Sequence, residues 1–541
     1  MIELIKSITK QEWKFWAKVL VAVLILTSLS RIFIVIMTPK DSVPRGNNIF
    51  SFIDRHVYVS YIEQAREGRY LFDDLFTAKE ESVPMLNLFW LGAGLFARFT
   101  HLSANAVLEF LRILFIPFLL LAVYLLIAYF IKDLWQRKVS FLLASLGGGL
   151  GAVFLPMFYI MELASAPGAM TRNFPIDLDR AESFIFSTSY YSAHFIFSTI
   201  LFVLILLLSL LAIDKKKMIY ALPAGILSFV LINFHPFTFI SAFFILFSYF
   251  IFILWKNKKD AWFFAKYGLI AGAIALPSVL YHISMFYAPW WQNQTWNSGT
   301  VTPFFLAIIA GYGIILYFVL RSFQLPSGGK VEIYKEKFLL VWLLSQIALI
   351  FMPVSVQGRF LEGYWLALVI VASYSLAIFL QKRNWIIKSK IYAGGLFVAV
   401  FGLSFVLLIV LDLKNILLQG NLIYIKKDAV AAMRELKNIA GRDDLVLADV
   451  YNSSVIPGIA VRRVFVGHGV ETIDYDRKYK ILGKFMVSDD EKERELILKN
   501  NQIAYFFYDE SWKKDWAWDP DNEKFLQKIY DKGGYKIYKI K

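Results

Sequence analysis

The chain contains no cysteine in 541 residues. That excludes disulfides, thiolate metal sites and a cysteine nucleophile, and it leaves the redox compartment undetermined. Charge is scarce as well: 18% of the residues are Asp, Glu, Lys or Arg, against 58% hydrophobic. Such a balance belongs to a chain whose main solvent is lipid, so the reading is a polytopic α-helical membrane protein. Acidic residues are the scarcer sign, 42 against 57 basic, for a net charge of +15. The excess does not point to nucleic acid, because it sits in short clusters between apolar runs, as the positive-inside bias distributes it. No internal repeat or low-complexity tract is evident, which counts against the repeat symmetry of many carriers.

The first long apolar run, residues 17–38, is too long for a signal-peptide core, lacks a small-residue cleavage site and follows Lys6, Lys10, Lys14 and Lys18. It is expected to remain as an anchor with its N-terminus in the cytoplasm. Further runs of span length lie near 105–131, 139–162, 193–213, 218–235, 237–255, 265–287, 303–320, 338–354, 364–381 and 391–412, about eleven in all. An odd number puts everything after residue 413 outside. The basic clusters test that alternation independently: Lys132/Arg137/Lys138, Lys215/Lys216/Lys217, Lys256/Lys258/Lys259, Lys330/Lys335/Lys337 and Lys382/Arg383/Lys388/Lys390 all fall on the predicted cytoplasmic side. The alternation turns on the two runs around His235–Pro236, and the proline and flanking clusters favour two spans.

The predicted division is a transmembrane domain over 1–413 and an outward-facing α/β domain over 414–541. Two predicted outer loops are long, 39–103 and 163–192, while the inner connectors are short and basic. A protein that works on the outer face is built this way; a carrier gated from both sides buries polar groups mid-span. Arg31, Glu109 and Arg112 fall near predicted span ends, where long side chains reach the interface.

Past residue 413 the pattern changes. Residues 426–441, KKDAVAAMRELKNIAG, read as an amphipathic helix capped by Asp428 and stopped at Gly441. Short apolar strands are predicted at DLVLADV, RRVFVGHG, IAYFFYD and YKIYKI, with Ser488 and Glu491 at capping-box spacing before another helix. His468 lies in a loop after one of these strands, a usual place to hold a ligand, and a structural or acceptor-positioning role is the expectation.

In the first outer loop, RHVYVSYIEQ has Val57, Tyr58, Tyr61 and Ile62 at helical spacing, suited to a helix on the membrane surface with Asp54 as N-cap and Gly68 near its end. Asp73, Asp74, Glu80 and Glu81 follow, then a second apolar helix over about 84–99, too short to span. For Asp54 alone, capping is a sufficient explanation.

The stretch 54–112, DRHVYVSYIEQAREGRYLFDDLFTAKEESVPMLNLFWLGAGLFARFTHLSANAVLEFLR, resembles the first outer loop of the GT-C superfamily of membrane glycosyltransferases, which includes protein O-mannosyltransferases, aminoarabinose transferases and oligosaccharyltransferase catalytic subunits. In that family an aspartate follows the first span, ahead of a Tyr-containing interfacial helix, a glycine and a second short helix; Asp54 matches its position.

The resemblance implies sugar transfer, with inversion, from a polyprenyl-phosphate-linked donor to a glycan, lipid or protein acceptor at the outer face of a plasma (inner) membrane. Asp54 takes the role of general base, since a neutral hydroxyl is a poor nucleophile. The departing phosphate needs cations or donors, and Arg359, in the predicted outer turn PVSVQGRFLEGYW, offers a planar, permanent one. An interfacial anchor is the alternative for Arg359. His194 and His235 begin or join spans on that same side and are further phosphate-binding candidates, or anchors. Arg55, His56, Tyr58, Glu80, Glu81 and Glu362 are candidate acceptor or auxiliary residues, Glu362 as a partner of Arg359. Asp177 and Asp179 have a spacing that suits a divalent cation's hard oxygen ligands or simply a solvated loop, so a cation is left open and no cofactor is assigned. The Trp-rich loop 288–299 reads as an aromatic belt.

Rival readings are a glycan polymerase or ligase, which uses the same donors, and a lipid or sugar transporter without transferase activity. A non-catalytic scaffold explains residues 414–541 but not about eleven spans.

Overall fold

Hydrocarbon satisfies no backbone N–H or C=O, so long apolar runs must close their hydrogen bonds internally as helices. A computed structural model describes residues 1–46, 52–163, 174–288, 302–324, 333–382, 396–418, 420–515 and 518–541. Among them, eight helices are long and apolar enough to cross a membrane: 10–36, 104–130, 134–161, 193–215, 236–256, 258–285, 357–380 and 399–418. A ninth position is a pair, Phe305–Tyr312 and Ile314–Phe323, bent by 81° at Gly313, whose φ of +54° breaks the helix. Met218–Phe234 and Lys337–Ile350 are apolar but shorter. The chain is thus a multi-pass membrane protein, and the runs expected near 218–235, 303–320 and 338–354 form short or broken helices. The Trp-rich loop expected over 288–299 lies, beyond Ala288, outside the described residues.

The chain divides into two compact units, Met1–Ser30 with Glu109–Ile283 and Gly299–Leu413, and Arg31–Leu108 with Ser284–Ser298 and Lys414–Lys541. The first outer loop, assigned from sequence to the transmembrane domain, therefore belongs to the same unit as the C-terminal region. Within the first unit the helix Ala193–Lys215 is the most enclosed, 89% of its apolar stretch being buried against 22% for Lys258–Met285.

This unit also buries charge. Arg112, expected to reach the interface, is instead 1% exposed. It donates to Glu109 (2.9 Å), Thr27 Oγ1 (3.0 Å), Ser28 Oγ (3.0 Å) and the Ser189 carbonyl (3.3 Å), partners that a buried guanidinium requires. Glu12 accepts from Tyr124 at 2.6 Å and Arg137 at 3.2 Å, and the Tyr190 hydroxyl lies between Ser30, at 2.6 Å, and Asp412.

In the second unit, β1 (Ser42–Pro44) pairs antiparallel with β2 (Tyr424–Lys426). The helix Phe52–Arg66 packs on Leu88–Thr100. Gly94 permits this contact, since a Cβ there would stand 2.2 Å from Ala65 Cβ and 2.7 Å from the Ile62 carbonyl. The first helix begins two residues before Asp54, so Asp54 lies in its first turn and not at the N-cap; an acid there still complements the helix dipole. Gly68 follows its end with φ of +96°, as expected of a left-handed terminator.

The C-terminal sheet has the order β4-β3-β5-β7-β6, from β3 (Leu445–Leu447), β4 (Arg463–Val464), β5 (Ile503–Asp509), β6 (Leu526–Lys532) and β7 (Tyr535–Ile540). The three strands β4, β3 and β5 are parallel, and β6–β7 is an antiparallel hairpin turned by Gly533 and Gly534 at φ of +65° and +82°. Strand β6 and the helix Tyr475–Val487 were not foreseen: LQKIYDK and YDRKYKILGKFMV are too polar for an apolar run to mark them. The helix expected from Ser488 starts at Glu491, capped by Asp490, whose carboxylate accepts from Lys492 N. Asp428 sits in the first turn of Lys427–Ile439 instead of capping it.

Candidate active site

In the second unit the helix 52–66 turns Arg55, His56, Val59, Ile62 and Ala65 inward, while Asp54 keeps 57% of its side chain exposed. Asp54 Oδ1 lies 3.1 Å from Nε2 of His468, which is only 4% exposed. Nδ1 of that ring accepts the backbone N–H groups of Val470 (3.2 Å) and Glu471 (3.1 Å). An acceptor at Nδ1 places the ring proton on Nε2, so the imidazole donates to the carboxylate. Burial disfavours the imidazolium, yet the bond to Asp54 and the charges of Glu471 and Asp54 outweigh it and raise the ring's proton affinity. The two N–H groups aimed at Nδ1 occupy the place a second proton would take.

The 467–472 loop is itself pinned. Thr472 Oγ1 donates to the Phe76 carbonyl at 2.8 Å and accepts from Gly467 N and His468 N, both at 3.2 Å. Phe76 meets the His468 ring edge to face at 5.7 Å.

The other candidates of this loop have structural partners. Arg55 Nε donates to Asn105 Oδ1 at 2.7 Å. His56 accepts from Arg45 Nε at 3.3 Å, and burial, with the charges of Arg45 and Arg55, holds its imidazole well below the ordinary value. Tyr58 stacks on Trp90 at 4.8 Å. Asp73 pairs with Arg442 at 2.7 Å, with Arg69 and Arg463 near 3.6 Å. Burial and then the charge of Glu471 push Asp74 well above the carboxylate range. Glu81 accepts from Ala78 N, Thr77 and the buried Lys478, and Glu80 is exposed. Among the acids considered, Asp54 is thus the one both exposed and held.

In the first unit, Arg359 sits in the tight turn Gln357–Leu361. Its guanidinium lies 5.4 Å from the centre of the Phe237 ring, and Nη1 is 3.5 Å from Glu182 Oε1, too long for a good hydrogen bond. Its Nε is buried without a partner. Glu362, expected to pair with Arg359, has other partners: Ser198 Oγ (2.8 Å), Thr199 Oγ1 (2.9 Å) and Thr238 Oγ1 donate to its carboxylate, with His235 Nδ1 3.6 Å away. Gly363 follows at φ of +80° with Phe202 against it, so the turn is locked from behind. His194 and His235 are buried with ring centres 6.2 Å apart, His194 bonded to Ser192 Oγ at 2.9 Å. The sequence marks Glu182 only as one of the acids of the second outer loop and does not mark the three hydroxyls; a Ser-Thr pair one turn into a span is the available sign.

Asp177 and Asp179, the cation candidates, each have a protein partner. Asp177 Oδ2 accepts from Gly149 N and Gly151 N, both at 3.1 Å, and burial pushes its carboxyl up to about 6. Asp179 pairs with Arg180 at 3.0 Å. Among the described residues no three His, Asp or Glu side chains converge on a metal position.

No protein-family model matches the sequence, and no curated protein does. Solved structures do match by fold. The archaeal oligosaccharyltransferase AglB from Archaeoglobus fulgidus, in complex with an inhibitory peptide and a dolichol-phosphate, aligns with a TM-score of 0.56 at 14% identity, over 98% of this chain and 74% of that one. The Archaeoglobus fulgidus enzyme tethered to an acceptor peptide containing the NVT sequon aligns with a TM-score of 0.52 at 14% identity over 93% and 70%, and its complex with Zn and sulfate at 0.56 and 14% over 96% and 72%. The protein has the fold of that archaeal oligosaccharyltransferase.

Proposed function

We propose that this protein is a membrane glycosyltransferase that moves a sugar from a polyprenyl-phosphate-linked donor to an acceptor at the outer face of the plasma membrane, with inversion. The observation that carries the reading is the Asp54 carboxylate, exposed to an acceptor and held 3.1 Å from His468, in a chain that shares its fold with an oligosaccharyltransferase. The basic clusters support the orientation: N-terminus in the cytoplasm, C-terminal domain outside.

Asp54 takes the proton of the acceptor hydroxyl or amide as that oxygen or nitrogen attacks the anomeric carbon. The bond from this carbon to the donor phosphate breaks, and its electron pair leaves on the lipid phosphate. One displacement inverts the anomeric centre. A positioned base contributes about 10²–10⁴ in rate. Arg359 receives the departing charge, its guanidinium having, among the described residues, one long polar contact, to Glu182. His194 and His235, their ring centres 6.2 Å apart, are further donors to the phosphate, and Glu362 fixes the turn that carries Arg359. Arg55, His56, Tyr58 and Glu81 support the helix of the base.

Acceptor chemistry follows from the neighbours: one was tethered to an acceptor peptide and another bound a dolichol-phosphate, which favours a peptide acceptor and a lipid-phosphate donor. The test is turnover of radiolabelled polyprenyl-phosphate sugars in proteoliposomes by the wild type and by Asp54→Asn, which keeps the side chain's shape but cannot act as a base. Loss of turnover in a folded variant is expected. Full activity in Asp54→Asn would remove the base, turnover by neither protein would favour a carrier, and growth of a glycan chain would favour the polymerase.

A further inference from the structure

We propose that His468 is the positioning residue for Asp54: a neutral imidazole, fixed as the Nε2–H tautomer, that aims the carboxylate and carries no proton in the reaction. This rests on Asp54 being the base.

The Val470 and Glu471 N–H groups both donate to Nδ1, so that nitrogen must present its lone pair. Nε2 then bears the ring's proton and points it at Asp54 Oδ1 across 3.1 Å. The ring cannot rotate away, being buried against Phe76 in a loop that Thr472 ties at both ends. Asp54 is mostly solvated and lies early in its helix, so without this bond its carboxylate would turn freely. With it, Oδ1 is occupied, and among the described residues Oδ2 has no partner, which leaves Oδ2 to receive the acceptor's proton.

The same geometry forbids a relay. To pass the proton on, His468 would have to gain one at Nδ1, against two backbone N–H groups. The charged or titratable groups facing the ring are Asp54 and Glu471, with His56 beyond, and none offers Nδ1 an acceptor. The proton that Asp54 gains in each turnover therefore leaves to water from its exposed side, and His468 ends the cycle as it began.

Two substitutions separate the two edges of the ring. His468→Asn places an amide oxygen where Nδ1 was and keeps the loop's N–H acceptor, but it does not reach Asp54. His468→Gln carries an amide N–H to the position of Nε2 and gives up the loop contact. In the liposome assay with the full chain, His468→Asn is expected to keep its thermal midpoint and to lose about 10- to 100-fold in kcat, as for a bond to a charged group. His468→Gln is expected to recover most of kcat while its midpoint falls. The reverse order, activity following the midpoint, would overturn the proposal, as would nitrogen NMR of the ring showing an imidazolium or an Nδ1–H tautomer between pH 6 and about 8. Asp54→Asn distinguishes the two failures: if it keeps full activity the base reading has fallen, whereas if it is inactive and His468→Asn is not, only the positioning role has.

Discussion

Arg359 allows a quantitative test of the phosphate assignment. Its guanidinium carries five N–H donors, and the described residues around it use almost none: among them Nε is buried unpartnered and Nη1 reaches Glu182 only at 3.5 Å. Arg359→Lys keeps the charge and gives up the planar two-point contact. A hydrogen bond to a charged group is worth about 1.5–3 kcal/mol, so the donor KM should rise about 10- to 100-fold at roughly 1.4 kcal/mol per decade. Arg359→Gln loses the charge as well, and because charge on the phosphate grows towards the transition state its kcat should fall with its KM. The assay is donor-dependent turnover in nanodiscs, alongside direct titration with polyprenyl phosphate, the leaving group itself. If Arg359 is only an interfacial anchor, both variants will lose thermal stability while binding polyprenyl phosphate within about two-fold of the wild type. That result would refute the assignment.

Two further outcomes are expected of the second unit. Gly94→Val should lower the thermal midpoint, because its Cβ would stand 2.2 Å from that of Ala65, and overpacking of this kind costs about 1–3 kcal/mol; Gly92→Ala, with nothing within 4 Å, is the control and should be nearly neutral. Burial pushes Asp449 from 3.8 up to about 6. The folded state therefore holds that proton more tightly than the unfolded chain, and the contribution, on the order of 3 kcal/mol, is full below about pH 4 and lost as pH rises through about 6. Asp449→Asn should flatten the pH dependence of chemical unfolding in that window; an unchanged slope would contradict the burial argument.

The membrane part of the fold was legible because span length and charge bias are properties of contiguous sequence. Hydropathy placed the runs, but it could not tell a straight helix from one broken at Gly313, since both are equally apolar. Nor could it say which charges stay inside. Arg112 looked like an interfacial residue by position, and the partners that make its burial tolerable include the hydroxyls of Thr27 and Ser28, more than 80 residues away. In the C-terminal unit the apolar strands were found and the polar ones missed, as expected of a signal that reads burial: β6 alternates mostly exposed side chains at the edge of its sheet.

The site divides along the same line. Asp54 was visible because it lies in a local pattern, a span followed by an amphipathic helix. Its partner lies 414 residues away, in a loop whose only local sign is a histidine between glycines after a strand. What joins them is that residues 31–108 and 414–541 fold as one unit, β1 pairing with β2 and Thr472 bonded to Phe76. Capping was therefore the wrong local explanation for Asp54, and its correction strengthens the functional one. A capping carboxylate would be spent on its own helix, whereas a first-turn carboxylate held from outside by a single N–H keeps an oxygen for the acceptor. A neutral donor is also the right kind of support for a base. A cation at that place would pair with the carboxylate and compete for the acceptor's proton, whereas an uncharged imidazole held by two backbone N–H groups only fixes its direction.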